Sequence, residues 1–127
     1  MKKTPKLNIF SGPEAILRPV LTVDEKGIVL GSDTVKLLRL KKADKVELAN
    51  RQNNRKKWYI RRSTKSGYAM ETTTGQTGHT VAVLKDADDV KASMLKSFGE
   101  SKVLAAVIDT KEEFNGWYAV NFLPVQI

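Results

Sequence analysis

RQNNRKKWYIRRSTKSGY, residues 51–68, is the stretch that decides how this chain is read. It carries seven basic residues (Arg51, Arg55, Lys56, Lys57, Arg61, Arg62 and Lys65), and no acid occurs between Glu47 and Glu71. Its centre, KWYIRR at 57–62, has the aromatic and β-branched content of a strand. Side chains alternate along a strand, so Trp58, Ile60 and Arg62 share one face and Lys57, Tyr59 and Arg61 the other. The second face reads cation, aromatic, cation. A single-stranded nucleic acid is served by that spacing, since its phosphates follow cations while a base stacks on a ring between them. Tyr59 is the first stacking candidate, with Trp58 and Tyr68 behind it. A solvated sheet face whose cations only keep the protein dissolved has the same pattern.

The rest of the composition narrows the function classes. The chain has 127 residues, which is enough for one domain with a genuine core. Its formal charge of +8 points to a polyanionic partner, nucleic acid ahead of an anionic membrane surface. With no cysteine and a single histidine, His79, thiolate metal sites, disulfides and histidine-based triads are excluded. No paired carboxylates or nucleophile–base set stands out, so neither an enzyme nor a cofactor is expected. No run reaches the length of a transmembrane helix and no signal peptide follows Met1, which reads as a cytoplasmic protein.

Along the chain, 1–14 is polar and basic and reads as a flexible arm, with one α+β domain over 15–127. Strands are expected at 15–23 (Pro19 marking an edge or bulge), 28–30, 45–49, 57–62, 68–72, 79–84, 102–108 and 117–123. A brief helix follows the capping types Ser32 and Asp33 as far as Leu38. A clearer one covers 86–98, capped by Asp86, stopped by Gly99 and apolar along Ala87, Val90, Met94, Leu95 and Phe98. The segment 102–108 is apolar on both faces and implies a central, covered strand. The pattern is mainly antiparallel sheet with two helices. An internal echo relates 32–62 to 88–122, setting Trp58-Tyr59 against Trp117-Tyr118. Both tryptophans read as core anchors.

Two resemblances bear on function. The segment near 21–50 has Gly27, the Leu38-x-Leu40 pair, Lys41, Asp44, Val46 and Leu48 in an order that resembles the SpoVT/AbrB family of transcription factors and antitoxin subunits. Arg39 and Ala43 stand where that family has glycines, and the spacing from Gly27 to Asp44 is one residue short. The resemblance implies a homodimer that binds duplex DNA and regulates transcription, with Lys41, Lys42 and Arg51 at the DNA. The whole-chain pattern looks like the Whirly and Pur-alpha kind of single-strand-binding fold, a ββββα-like unit used twice with a basic, aromatic exposed face. That likeness is architectural and does not fix function. The leading expectation is a non-catalytic nucleic-acid-binding protein, DNA ahead of RNA and single-stranded ahead of duplex. Its binding residues would be Arg51, Arg55, Lys56, Lys57, Trp58, Tyr59, Arg61, Arg62, Lys65 and Tyr68, with Lys41 and Lys42 as a second patch. The rival is a protein–protein interaction module that uses a sheet edge or the Trp58/Tyr59 face.

Overall fold

In the computed structural model of the chain, residues 5–6, 18–99 and 103–123 are described. Among them the elements run β1 (Val20–Asp24), β2 (Gly27–Leu30), α1 (Ser32–Leu37), β3 (Lys45–Arg51), β4 (Asn54–Ser63), β5 (Met70–Thr74), β6 (Thr80–Leu84), α2 (Asp88–Ser97), β7 (Leu104–Ile108) and β8 (Tyr118–Phe122). The protein is α+β and mostly antiparallel sheet. Apart from residues 5–6, the arm at 1–14 lies outside the described residues, as do 15–17 of the first expected strand.

All eight strands join one sheet in the order β3-β4-β8-β7-β1-β2-β6-β5. The sheet curls so far that its two ends meet. Val46 in β3 exchanges both backbone hydrogen bonds with Tyr68, just ahead of β5, at 2.9 and 2.8 Å. Gly67 makes that approach feasible. Its φ is +106°, and a Cβ there would stand 2.4 Å from the Val46 carbonyl oxygen. The result is an incomplete barrel joined at one bridge.

The period-2 pattern fills the barrel. Leu21, Val23, Ile28, Leu30, Val46, Ile60, Ala106 and Ile108 are buried in one apolar cluster, and Trp58, at 3% exposed, is among them. The indole Nε1 of Trp58 has no hydrogen-bond partner there. Both helices add to the same cluster, α1 through Leu38 and α2 through Val90 and Met94. Thr34, also buried, donates its hydroxyl to the Val20 carbonyl at 2.7 Å.

Three expectations change. Asp86 does not cap α2, because it sits at φ 55° and leaves Ala87 at the N-cap position. Asp88 and Asp89 still occupy the positive first turn. Neither Ser32 nor Asp33 caps α1, whose N-cap is Gly31, and Asp33 instead accepts the Arg18 backbone N–H at 2.8 Å. β7 is central in the sheet, but its outer face is open, with Val107 39% exposed. The inward residues of β7 meet the core, whereas its outward ones form a strip with Val20 and Leu123.

Candidate nucleic-acid interface

The basic stretch forms most of the β3–β4 hairpin. Lys45 to Asn50 pair with Ser63 to Trp58, and the register then shifts so that Arg51 faces Asn54 at the tip. The shift frees the tip from the barrel wall, and every residue from Arg51 to Lys56 is exposed. A cleft of about 940 Å³ opens between this tip and the last turns of α2. Arg51, Arg55 and Lys56 line it from the hairpin, with the amides of Asn50, Gln52 and Asn54 between them. Ser93, Lys96 and Ser97 line it from α2. Among the described residues, four cations and no carboxylate line this cleft. Lys96, in the last turn of α2, is not among the binding residues expected from sequence.

The middle of β4 is occupied otherwise. Tyr59 does lie on the outer face, but it is 3% exposed. Phe114, from the loop between β7 and β8, sets its ring against Tyr59 with centroids 5.2 Å apart and planes at 64°. Arg51 Nε donates to the Tyr59 hydroxyl at 2.8 Å, and Lys57 Nζ stands 5.9 Å from the ring centroid. Stacking of a base on Tyr59 or Trp58 does not fit these positions, since one ring is covered by a loop and the other lies in the core. Among the described residues the exposed large aromatic ring is Phe114, at 42%.

Arg61 is also committed to the protein. It faces Glu47 directly across the hairpin, donates to its Oε1 at 2.9 Å, and lies 4.2 Å above the Trp117 ring. A second bond from Arg61 Nη1 reaches the Asn115 carbonyl at 3.3 Å. Arg61 thus clamps the loop that covers Tyr59, rather than presenting a free cation. Tyr68 is likewise structural: besides its bridge to Val46, its hydroxyl donates to both oxygens of Asp89, at 2.9 and 3.0 Å.

At the other end of β4 stand Arg62 and Lys65, with Lys41 and Lys42 exposed on the loop between α1 and β3. Asp44 orders that loop by accepting the Lys41 backbone N–H at 2.8 Å, and its Oδ2 lies 4.0 Å from Arg62 Nη1. The single basic run of the sequence therefore resolves into a hairpin-tip cluster and a hairpin-base cluster, separated by the clamped aromatic loop.

The clamp has a pH signature. The hydrogen bond from Arg61 holds the Glu47 carboxyl below its ordinary value of 4.5, against burial, with further help from Ser66, the Arg61 charge and Ser63. A lowered folded-state pKa contributes stability that is fully present above the unfolded value and lost as pH falls through the folded one. Glu47→Gln is therefore expected to cost at most about 1 kcal/mol at neutral pH. The difference from the wild type should shrink below about pH 4.5. Urea denaturation across that range checks this; a gap that does not narrow in acid would contradict it.

Among the described residues no group of three or more His, Asp or Glu side chains is placed to hold a metal ion. No helix among them is long and apolar enough to cross a membrane. In the segment 21–50, Gly27 opens β2, α1 follows, and Asp44 leads into β3. Comparison with known proteins gives no matching family model, no matching curated protein and no matching solved structure.

Proposed function

We propose that this protein is a non-catalytic nucleic-acid-binding protein whose target, DNA in the first instance, is held single-stranded across the tip of the β3–β4 hairpin. The observation that carries this reading is the cleft that Arg51, Arg55, Lys56 and Lys96 line, with no carboxylate among its described lining residues. Four cations suit successive phosphates, Arg51 from its bond to the Tyr59 hydroxyl and the other three from exposed positions, and the surrounding amides suit the hydrogen-bonding edges of bases, which a single strand leaves free. Phe114, packed against Tyr59, supplies an exposed ring on which a base can stack.

We also read the chain as a duplicated ββαββ unit. Advancing every strand number by four carries the list of neighbours onto itself, provided the Val46–Tyr68 bridge counts as the contact between β3 and β5. The framing differs from a ββββα unit used twice in two separate sheets, since all the strands share one sheet here.

Fluorescence anisotropy with matched single-stranded and duplex oligonucleotides at two salt concentrations tests the function. Four phosphate contacts on a single strand predict a slope of log K against log salt of about −3 or steeper. A duplex preference would move the reading to the AbrB-like segment, with Lys41 and Lys42 at the DNA. Absence of binding at low salt would overturn it. A second reading, a protein partner or second copy on the open strip of Val20, Val107 and Leu123, is favoured by their exposures of 39, 39 and 50%. Such an apolar contact barely responds to salt.

A further inference from the structure

Arg39 occupies a backbone position that its residue type does not favour. Its φ is 52°, in the left-handed region. The other non-glycine residues found there among the described residues are Asp86 and Asn115, whose short polar side chains tolerate it. Arg39 follows the C-cap of α1, Leu38. Its N–H donates to the Lys36 carbonyl at 3.1 Å, and the N–H of Leu40 donates to the Val35 carbonyl at 3.0 Å. That pair of bonds is the Schellman closure, in which the left-handed residue is usually glycine. Val35 and Leu40 are both partly buried against the core. Glycine would make the same turn without strain. Backbone strain of this kind persists where the side chain has another use.

The surroundings indicate the use. A cleft of about 530 Å³ is lined by Lys36, Arg39 and Arg62, together with Gly116 and Tyr118; no carboxylate is among its described lining residues, although Glu112 Oε1 stands close to Gly116. Arg62 Nη1 donates to the Arg39 carbonyl at 3.3 Å, which sets the two guanidinium-bearing residues side by side. The nearby Asp44 lies 4.0 Å from Arg62 Nη1, at the outer limit of an ion pair, so it offsets the Arg62 charge and leaves those of Lys36 and Arg39. Attraction to the negative end of α1 accounts for Lys36 but does not call for a cation at the strained position.

We propose that Lys36, Arg39 and Arg62 form a second phosphate-binding site. In the duplicated reading it is the counterpart of the hairpin-tip cleft. That one lies between the β3–β4 hairpin and the end of α2; this one lies between the residues leading into β8 and the end of α1. Arg62 is six residues along β4 from Lys56. At about 3.3 Å per residue the two sites stand about 20 Å apart along the strand, within reach of one oligonucleotide. The phosphate chemistry stands on this geometry alone; a phosphodiester as its source rests on the nucleic-acid reading above.

Arg39→Gly tests it without threatening the fold, because glycine fits the turn. Thermal unfolding should show a melting temperature equal to the wild type or a few degrees higher. In two-dimensional NMR, inorganic pyrophosphate should shift the Arg39 amide and the Arg62 side-chain Nε in the wild type. In the variant the Arg62 response should weaken several-fold. With a single-stranded oligonucleotide long enough to span both clefts, the salt slope should fall in magnitude by about 0.7. Arg39→Asn, which also tolerates the left-handed turn, should repeat both losses. A pyrophosphate response without oligonucleotide binding keeps the site and removes the nucleic-acid reading. Arg62 responses and salt slopes identical in wild type and variants would overturn the proposal.

Discussion

Replacing Arg55 and Lys56 together by glutamate is expected to weaken single-strand binding on the order of a hundredfold at low salt, because two attractive contacts become repulsive ones. Both side chains are exposed at the hairpin tip and line the cleft with Arg51 and Lys96. Neither makes a side-chain contact that the barrel depends on, so the melting temperature should hold, as it does for most surface substitutions. The salt slope should also shrink, since fewer counterions are released. Arg61→Ala is the informative contrast. It removes an equally prominent basic residue, but one bound to Glu47 and laid over Trp117. That variant should lose stability through the loop it clamps and keep most of the salt slope. If Arg61→Ala abolished binding while the Arg55/Lys56 variant bound normally, the cleft would be the wrong place.

Gly67→Ala carries the largest expected effect on stability, about 3–5 kcal/mol from backbone strain, collision and two compromised hydrogen bonds. A methyl group would meet the Val46 carbonyl oxygen at 2.4 Å and its carbon at 2.8 Å, and φ +106° is a conformation that side chains rarely adopt. Backbone atoms cannot step aside as a flexible side chain would. The Val46–Tyr68 bridge must therefore open, and with it the contact that joins the two ends of the sheet. A loss of that size is a large share of the roughly 5–15 kcal/mol that typically holds a domain folded. Chemical denaturation measures it, and hydrogen exchange locates it at the Val46 and Tyr68 amides. An alanine variant with wild-type stability would mean that closure does not matter.

Much of the fold is legible from residue patterns. The alternation of Val46 and Leu48 against Lys45 and Glu47, and of Trp58 and Ile60 against Lys57 and Tyr59, places each side chain on the face it occupies. The four-residue repeat of α2 does the same for Val90 and Met94. Strand order is not legible, because eight short strands with similar patterns allow many pairings. The closing bridge depends on Gly67, whose need for positive φ appears only once Val46 is beside it.

The site shows the same division. Counting back from the Arg51–Asn54 pair would put Glu47 opposite Trp58; the register shift after Asn50 puts it opposite Arg61 instead. That shift takes Arg61 out of the free cations, and no local signal announces it. Alternation correctly sets Tyr59 outward but is blind to the loop that lays Phe114 across it. Lys96 joins Arg51, Arg55 and Lys56 only through tertiary packing of α2 against the hairpin. The exposed cations of the tip were visible from composition; their partner across the cleft was not.

The most direct test of the central claim is a two-dimensional NMR titration of the whole chain with a single-stranded oligonucleotide at low salt. Nucleic-acid binding at the hairpin tip predicts the largest shifts at residues 51–57 and Lys96, with Phe114 following and all of them reversing as salt is raised. Shifts confined to the apolar strip of Val20, Val107 and Leu123, or none anywhere, would contradict it.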